Sequence, residues 1–353
     1  MTPASPPSSQ SSVTAVRAPG GRRARNSRFA GPERGMLPSV FAKRLKATRP
    51  TGHHHRNPGR APPMTPRHHN PGNPIRLELG GEKITAFSIS ALSTYALLPE
   101  LNCAFDMGDC LLEAVPIDRV FVTHPHGDHT RCLFRHEALR RLMGMPPPTY
   151  YVPEETREGF VQLADAWRRL ERVRDANFTP PRIEGLKAGD VVPLHRQLSL
   201  KTFPVHHTAP SLGYTLFDVR KKLKAEYHGR PGAELARLRR EGVAFEEESW
   251  LPRLTFIGDS TIQTLYDQPH VGESRVLFLE VTFLLDDERE LAQRRGHTHV
   301  DGLVKFLRDC PDVLRNEHIV LKHFSMRYDK ATIRSVLKAK LPAGFMERVH
   351  IMI

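Results

Sequence analysis

The chain has 353 residues and a formal net charge of +13, from 52 Lys+Arg and 39 Asp+Glu. All of that excess lies in residues 1–76, which hold 14 basic residues and a single acidic one, so the rest of the chain is neutral overall. The net charge of the folded part therefore excludes binding of nucleic acid through an overall positive charge of that part. Any basic surface there must be local. No run of about eighteen apolar residues is present, which excludes a membrane span.

The four cysteines form no Cys-x-x-Cys pair and are widely spaced, at positions 103, 110, 132 and 310. We therefore expect reduced thiols rather than a disulfide framework, and a cytoplasmic protein. No apolar signal-peptide core opens the chain. The Ser- and Arg-rich, acid-poor amino end keeps organelle targeting as the alternative location.

Residues 1–76 are rich in Pro, Ser, Gly, Arg and His and poor in large apolar side chains. Such a segment cannot bury enough surface to offset the entropy lost on ordering, so we predict a disordered basic tail. The composition changes near Ile75, and residues 77–353 are predicted to form one domain.

Short β-prone runs and helical patterns follow one another through this domain. The predicted strands are Ile84–Ser88, Ala104–Phe105, Arg119–Val122, Leu198–Phe203, Leu212–Phe217, Leu254–Ile257 and Val276–Val281. The predicted helices are Arg131–Leu142, Glu154–Arg172, Ala233–Arg240, Glu288–Arg294, Val300–Arg308 and Lys330–Lys340. Several strands precede the first long helix, and strands then alternate with helices, which indicates packed sheets with helices outside, a fold of the α/β (α+β) class.

One nine-residue stretch, FVTHPHGDH, concentrates three histidines and one aspartate directly after a short apolar run. His124 and His126 are two residues apart, so on an extended segment their side chains point the same way and can bind one ion. Gly127 permits a sharp turn that would bring Asp128 and His129 towards a second ion. Imidazole and carboxylate together suit zinc, and less selectively manganese or iron.

Three further apolar runs end in ionisable residues, and these runs lie downstream of the opening motif. The residues are the pair His206 and His207, then Asp259, then His323. Each stands where a predicted strand emerges, which is where α/β enzymes place their sites. Singly, each would be an ordinary polar residue at a strand end, but together with the opening motif they predict the rest of a metal site.

The ligand order HxHxDH, His207, Asp259 and His323 resembles the metal-binding pattern of the metallo-β-lactamase superfamily. Within it, the chain is similar to the ribonuclease Z family of tRNA 3′-processing endonucleases, in its short plant and bacterial form. The motifs that narrow the resemblance are SLGY after His207, FIGDST, EVTF, GHTH and LKHFSMRY, over roughly residues 77–350. The resemblance implies an αββα sandwich of two packed mixed sheets with outer helices.

The resemblance further implies two Zn²⁺ ions per chain, with Mn²⁺ or Fe as alternatives. One ion would be bound by His124, His126 and His207, the other by Asp128, His129 and His323, with Asp259 bridging the two. His207 is preferred over its neighbour His206 because it stands four residues before Ser211, as the family's ligand stands before its serine.

Three residues are implied as catalytic in a two-metal hydrolase that activates water and polarises the phosphate. Asp128 would accept the proton of the attacking water, besides acting as a ligand. His297 would be the general acid or the phosphate-stabilising group, kept protonated and oriented by Glu280. The alternative is that Glu280 and His297 form an ordinary surface pair. His299, where the family often has a small hydroxyl residue, is a second candidate contact.

The predicted function is therefore a zinc-dependent phosphodiesterase that removes 3′ trailers from precursor tRNA.

A basic stretch that includes Lys221, Lys222 and Lys224 is predicted to contact RNA phosphates, although the long Gly/Pro-rich arm of the family is absent. A solvated charged face is the alternative. The family is often dimeric, so a homodimer is one option. Two other functions stay open: hydrolysis of a small phosphodiester or lactone, and non-catalytic RNA binding by the same fold, against which seven intact ligands argue.

Overall fold

The computed structural model describes residues 73–173, 179–195 and 197–353. Apart from its last four residues, the predicted tail, residues 1–76, lies outside the described residues. The first strand begins at Ile75, two residues before the predicted domain boundary.

In the described part of the chain, the first sheet has eight strands, seven of which follow one another in chain order. They are β1 (Ile75–Leu79), β2 (Glu82–Ser90), β3 (Ser93–Leu98), β4 (Cys103–Phe105), β5 (Arg119–Phe121), β6 (Thr149–Pro153), β7 (Arg182–Leu186) and β14 (Phe324–Ser325). Strands β1 to β4 are antiparallel, strands β4 to β7 are parallel, and β14 joins β2. The sheet is therefore mixed.

Among the described residues, the second sheet has seven strands in the order β15-β13-β12-β11-β10-β9-β8. They are β8 (Val191–His195), β9 (Leu198–Pro204), β10 (Leu212–Leu223), β11 (Glu246–Phe256), β12 (Val276–Glu280), β13 (His318–Lys322) and β15 (Val349–Ile351). Strands β12 and β13 are parallel to each other and almost wholly buried. Their sequences VLFLE and HIVLK are nearly continuous apolar runs because both faces of a central parallel strand are covered.

The described part of the chain contains nine α-helices. They are α1 (Gly127–Thr130), α2 (Leu133–Leu142), α3 (Arg157–Leu170), α4 (Gly232–Arg240), α5 (Gln263–Asp267), α6 (Arg289–Arg295), α7 (Val300–Asp309), α8 (Lys330–Lys340) and α9 (Ala343–Met346). In α7, the buried residues Val300, Leu303 and Phe306 recur every three positions, so one face of the helix packs on the second sheet.

Three apolar cores separate four layers of secondary structure. The core between the sheets includes Phe105 from the first sheet and Phe256 from the second, whose rings stack with centroids 4.8 Å apart. A second core joins the second sheet to α5, α7, α8 and α9, and a third joins the first sheet to α2 and α3. The order helix, sheet, sheet, helix confirms the predicted αββα sandwich.

Several strands have no counterpart among the predicted elements: β1, β3, β6, β7, β8, β14 and β15. All six residues of β3 are buried, so its sequence STYALL lacks the alternation that marks a half-exposed strand. The prediction of a sharp turn at Gly127 is wrong: this glycine begins the single helical turn α1 without a positive φ.

Strands β10 and β11 form a long hairpin whose outer part we call the arm (residues 217–252). The sequence lacks the Gly/Pro-rich segment of the family arm, yet the two strands pair from Tyr214 with Phe256 out to Leu223 with Glu246. Side chains along the outer half of β10 are partly or fully exposed, and α4 lies between the two strands in the chain. The basic stretch therefore lies on a β-hairpin.

Two expectations from composition concern the whole chain. Within the described ranges, no helix combines the length and the apolar character that a bilayer span requires. All four cysteines are free thiols.

Candidate metal centre

The opening motif lies at the carboxyl end of β5, where the chain leaves the first sheet. His124 is fully buried, and His126 is exposed at the edge of the cleft. The helical turn α1 then reverses the chain, which carries Asp128 and buried His129 back towards the same point. A single helical turn, rather than a glycine turn, therefore brings Asp128 and His129 towards the metal centre.

The first cluster of potential ligand atoms combines three predicted histidines with one carboxylate. In His124, His126, His207 and Asp259, one ligand atom of each residue lies within 4.8 Å of those of the others. His126 Nδ1 and His207 Nε2 are 3.3 Å apart, and His124 Nε2 is 3.5 Å from Asp259 Oδ2. Residues from both sheets thus meet at one point.

The second cluster shares Asp259 with the first. It consists of Asp128, His129, Asp259 and His323. His129 Nε2 and His323 Nε2 each lie 3.2 Å from Asp259 Oδ1, and His323 Nε2 lies 3.4 Å from Asp128 Oδ2. The structure therefore brings all seven predicted ligands together in two groups with Asp259 between them.

Asp106, which was not among the predicted site residues, supports the first-sheet side of the centre. Its Oδ2 accepts a hydrogen bond from His129 Nδ1 at 2.7 Å, and its Oδ1 accepts one from the Thr123 backbone N–H at 2.7 Å. The Thr123 hydroxyl donates to Asp106 at 3.0 Å and so accepts from His124 Nδ1 at 3.0 Å. Both imidazoles therefore hold their proton on Nδ1 and present Nε2 to the centre.

His207 is fixed by the end of α6. Its Nδ1 donates to the Gly296 carbonyl at 2.9 Å, which leaves Nε2 for a metal. Gly296 has a left-handed φ of 68°, and a Cβ at this position would lie 2.9 Å from Thr208. The neighbouring His206 points elsewhere, because its Nε2 pairs with Asp267 at 2.6 Å. The geometry thus separates the two adjacent histidines.

His323 is oriented by Thr282. The Thr282 hydroxyl donates to Glu280 Oε2 at 2.7 Å and so accepts from His323 Nδ1 at 3.0 Å, which again directs Nε2 to the centre. His323 has a positive φ of 64°, a backbone conformation that non-glycine residues seldom adopt. The conformation is held at the point where the chain passes from β13 in the second sheet to β14 in the first.

The donor atoms fit a metal cofactor by their chemistry. His124 Nε2, His129 Nε2 and Asp259 Oδ1 are buried without a hydrogen-bond partner, an arrangement that costs free energy unless an ion binds them. Burial, the largest influence, lowers the pKa of His124 well below its usual value and also lowers that of His207, so both rings are neutral, the form that binds metal. The chain therefore carries a metal-binding site.

Asp128 is held by the turn between β2 and β3. Its Oδ2 accepts a hydrogen bond of 2.9 Å from the backbone N–H of Ala91, whose φ is 64°. Burial alone would raise the pKa of this carboxyl, but the neighbouring imidazoles of His323 and His129 lower it to about 2. Asp128 is therefore ionised at neutral pH.

Beside the two clusters, fully buried Glu280 pairs with His297, whose side chain is 12% exposed. His297 Nδ1 lies 2.9 Å from Glu280 Oε1, and Glu280 also accepts backbone N–H bonds from Ser260, Thr282 and Thr298. Burial disfavours a charged imidazole, yet the Glu280 carboxylate outweighs it and raises the pKa of His297. Glu280 is fully buried, so the alternative of a surface pair is wrong.

His299 is not part of the cleft. Its Nδ1 accepts from the Asp301 backbone N–H at 3.1 Å, which caps α7, and its Nε2 donates to the Leu285 carbonyl at 2.8 Å. The prediction of a second contact at His299 is therefore wrong, since both ring nitrogens are used within the fold.

The clusters open into a cleft of about 410 Å³. Asp128, Asp259, His297 and His323 line it, together with Arg294 and Arg295 at the end of α6. His297 uses Nδ1 for Glu280, so Nε2 is the atom that can face a ligand. The cleft therefore combines the ligand groups, an ionised carboxylate and an imidazole whose pKa is raised.

The chain is similar to known proteins in sequence and in fold. The family model for the beta-lactamase superfamily domain matches residues 101–324. The crystal structure of the metallo-beta-lactamase fold protein YhfI from Bacillus subtilis matches with a TM-score of 0.52 at 12% identity, over 76% of this chain and 95% of that one. At this identity the match shows the fold alone.

Three curated relatives are similar in sequence. A chloroplastic tRNase Z of Arabidopsis thaliana is 31% identical over 74% of this chain and 73% of its own length. A second tRNase Z of that plant is 32% identical over 75% of this chain and 93% of its own length. A nuclear ribonuclease Z of Triticum aestivum is 38% identical over 48% of this chain and 93% of its own length. The chain therefore belongs to the tRNase Z (ribonuclease Z) family of the beta-lactamase superfamily.

Proposed function

We propose that this protein is a metal-dependent endoribonuclease that removes 3′ trailers from precursor tRNA. The observation that carries the proposal is the pair of ligand clusters sharing Asp259, with the buried Glu280–His297 pair beside them. Membership of the tRNase Z family supplies the substrate, because the relatives are named for processing tRNA. A lactonase or a small-diester hydrolase has less need of the additional acid.

The proposed cofactor is two Zn²⁺ ions per chain. Five imidazoles and two carboxylates form a donor set that zinc prefers, while manganese and iron accept the same groups less selectively. The first ion would be held by His124, His126 and His207, and the second by Asp128, His129 and His323, with Asp259 available to both. When bound, the ions would supply Lewis acidity to the phosphate and lower the pKa of water.

The protein's own residues supply the proton transfers in this proposal. Hydrolysis adds water to phosphorus and breaks a P–O bond, so one proton must leave the water and one must reach the departing oxygen. Asp128 is ionised and lines the cleft, which makes it the group to accept the first proton. His297, kept charged by Glu280, would donate the second from Nε2, and Glu280 acts as its positioning residue.

The arm is the proposed second contact with RNA. Lys221 and Lys222 on β10 face Glu248 and Glu247 on β11, and Lys221 Nζ lies 3.3 Å from Glu248 Oε1. These acidic partners reduce the local positive charge, so the arm should add a modest, salt-sensitive contribution to affinity.

A homodimer through α3 is also proposed. Leu163, Trp167 and Leu170 lie on one face of α3 and are 51%, 41% and 76% exposed. Antiparallel pairing about a two-fold axis near Ala166 would place Leu163 against Leu170 of a second copy, so the face is self-complementary. Sedimentation of the wild type against Leu163→Glu would test this pairing, since the variant should be monomeric.

The cytoplasmic location, with organelle targeting as the alternative, stays a prediction.

Cleavage of a precursor tRNA with a 3′ trailer tests the function. The zinc-loaded full chain should make a single cut after the discriminator base and leave an unstructured RNA intact. Turnover of bis(p-nitrophenyl) phosphate alone would instead assign the protein to small-diester hydrolysis. Binding of RNA without turnover of either substrate, by protein with full metal content, would indicate a non-catalytic RNA-binding protein.

A further inference from the structure

The last turn of α6 brings two arginines to the mouth of the metal cleft. Arg294 and Arg295 both line the cleft that also exposes Asp128 and His297. Among the lining residues that the structure describes, they are the only Lys or Arg side chains. Both residues are exposed, so their guanidinium groups can reach a ligand in the cleft without leaving a buried partner.

The two arginines differ in what pairs with them. Arg294 Nη1 lies 3.5 Å from Glu290 Oε2, one turn earlier, and these side chains are 67% and 90% exposed, so the pair is weak. No carboxylate lies within ion-pair distance of Arg295 in residues 73–173, 179–195 and 197–353. An exposed guanidinium without a protein carboxylate is available to an anion from solvent.

Contacts at both ends of helix α6 hold its backbone next to the metal centre. At its start, Arg289 Nε donates to Asp301 Oδ2 at 2.7 Å. At its end, the Gly296 carbonyl accepts from His207 Nδ1 at 2.9 Å, and His297 follows directly. Arg294 and Arg295 therefore lie directly before Gly296, which supports the ligand His207, and close to His297, the proposed acid.

We propose that Arg294 and Arg295 form a phosphate-binding site for the RNA backbone, beside the position of the scissile phosphodiester. Guanidinium groups suit this role because their planar N–H donors match phosphate oxygens in pairs. A polynucleotide has neighbouring phosphates that reach the arginines while one phosphate occupies the centre, whereas a small diester has none. The inference rests on the proposed function and adds how the cleft distinguishes RNA from a small diester.

The test compares two double variants of the zinc-loaded full chain. Arg294→Ala with Arg295→Ala should lower kcat/KM on precursor tRNA by about tenfold or more, mainly through KM, and make its dependence on salt less steep by about one to two on a log–log plot. The loss on bis(p-nitrophenyl) phosphate should be at least about tenfold smaller. The matched control is Arg308→Ala with Arg315→Ala, two exposed arginines outside the cleft, which should leave both rates at the wild-type level.

Two results would overturn the proposal. Equal losses on RNA and on the small diester would mean that the arginines act by positioning His207 or His297. A loss on RNA no greater than that of the control would mean that they do not touch the substrate, while the proposed function would stand because the wild type still cleaves. If the wild type itself does not cleave precursor tRNA, the proposed function fails separately. RNA binding by the same variants, measured by anisotropy over the salt series, would then decide the role of the arginines.

Discussion

The metal centre and the arm are both rich in charged side chains, but the two regions are built differently. In the centre, each buried imidazole has one nitrogen held by a protein partner, such as Asp106 for His129 or Thr282 for His323. On the arm, the charged groups are exposed and pair across two strands, as Lys221 does with Glu248. In the centre, these hydrogen bonds therefore fix the orientation of the imidazoles. On the arm, the exposed charges can only adjust the affinity for RNA.

Replacement of Asp128 should produce the largest effect. Asp128→Ala removes a ligand and the proposed proton acceptor, so cleavage of precursor tRNA should fall by about 10³-fold or more. The far-ultraviolet circular dichroism should change little, because the side chain lies in the cleft rather than in a core. The matched control is Asp267→Ala, whose carboxylate pairs with His206 and does not line the cleft. A variant of Asp128 with wild-type rates would remove it from the mechanism.

The Glu280–His297 pair predicts a change in pH dependence. Because the pKa of His297 is raised, the charged acid persists above its ordinary range and is lost as pH rises through that pKa. Glu280→Gln removes the negative charge, so the alkaline limb of kcat should move to lower pH and kcat should fall by about 10²-fold. The exposed Glu273→Gln is the control, and its profile should match the wild type. An unmoved alkaline limb in Glu280→Gln would assign that limb to another group.

Asp106 tests whether support of a ligand matters as much as the ligand. Asp106→Asn keeps the size of the side chain but weakens the hydrogen bond to His129, so zinc affinity should fall by about 10- to 100-fold. Competition with a chromogenic chelator measures this affinity directly. The control is Asp109→Asn, a half-exposed neighbour that contacts none of the ligands. Equal zinc affinities for the two variants would show that Asp106 has no such role.

The arm should give the smallest effect. Replacement of Lys221, Lys222 and Lys224 by Glu should weaken binding of precursor tRNA by about three- to tenfold at low salt, and the difference should fade at high salt. Anisotropy with labelled RNA provides the measurement, and a triple replacement by Gln distinguishes loss of positive charge from added repulsion. Unchanged affinity at physiological salt would remove these lysines from the interface.

The contrast also explains what the sequence could predict. His124 to His129 lie within six positions and His207, Asp259 and His323 each end an apolar run, so the local pattern marked them as candidates, and the family resemblance chose His207 over His206. Asp106 was missed, although it also follows a predicted strand, because it lies outside the ligand order that the family resemblance supplied for Asp259. The Gly296 carbonyl and the Ala91 N–H were beyond reach, since backbone groups acquire such roles only when the fold brings distant segments together.

The same limit applied to the strands and to the arm. Fully buried β3 has no alternation, and the hairpin of β10 and β11 depends on pairing between segments more than twenty residues apart. The glycine turn predicted at Gly127 and the contact predicted at His299 failed for the opposite reason. In both cases the residue type suggested a special role, but the residue serves a helix instead. Gly127 begins α1, and His299 caps α7.

The passage of the chain through His323 has a consequence for unfolding. Strand β13 belongs to the second sheet and β14 to the first, so His323 lies on a covalent crossing between the two layers. Any sliding of one sheet over the other must displace this imidazole before either sheet loses its hydrogen bonds. In rising denaturant, activity should therefore disappear before secondary structure does, which makes the nuclease reaction a sensitive report on the packing of the whole sandwich.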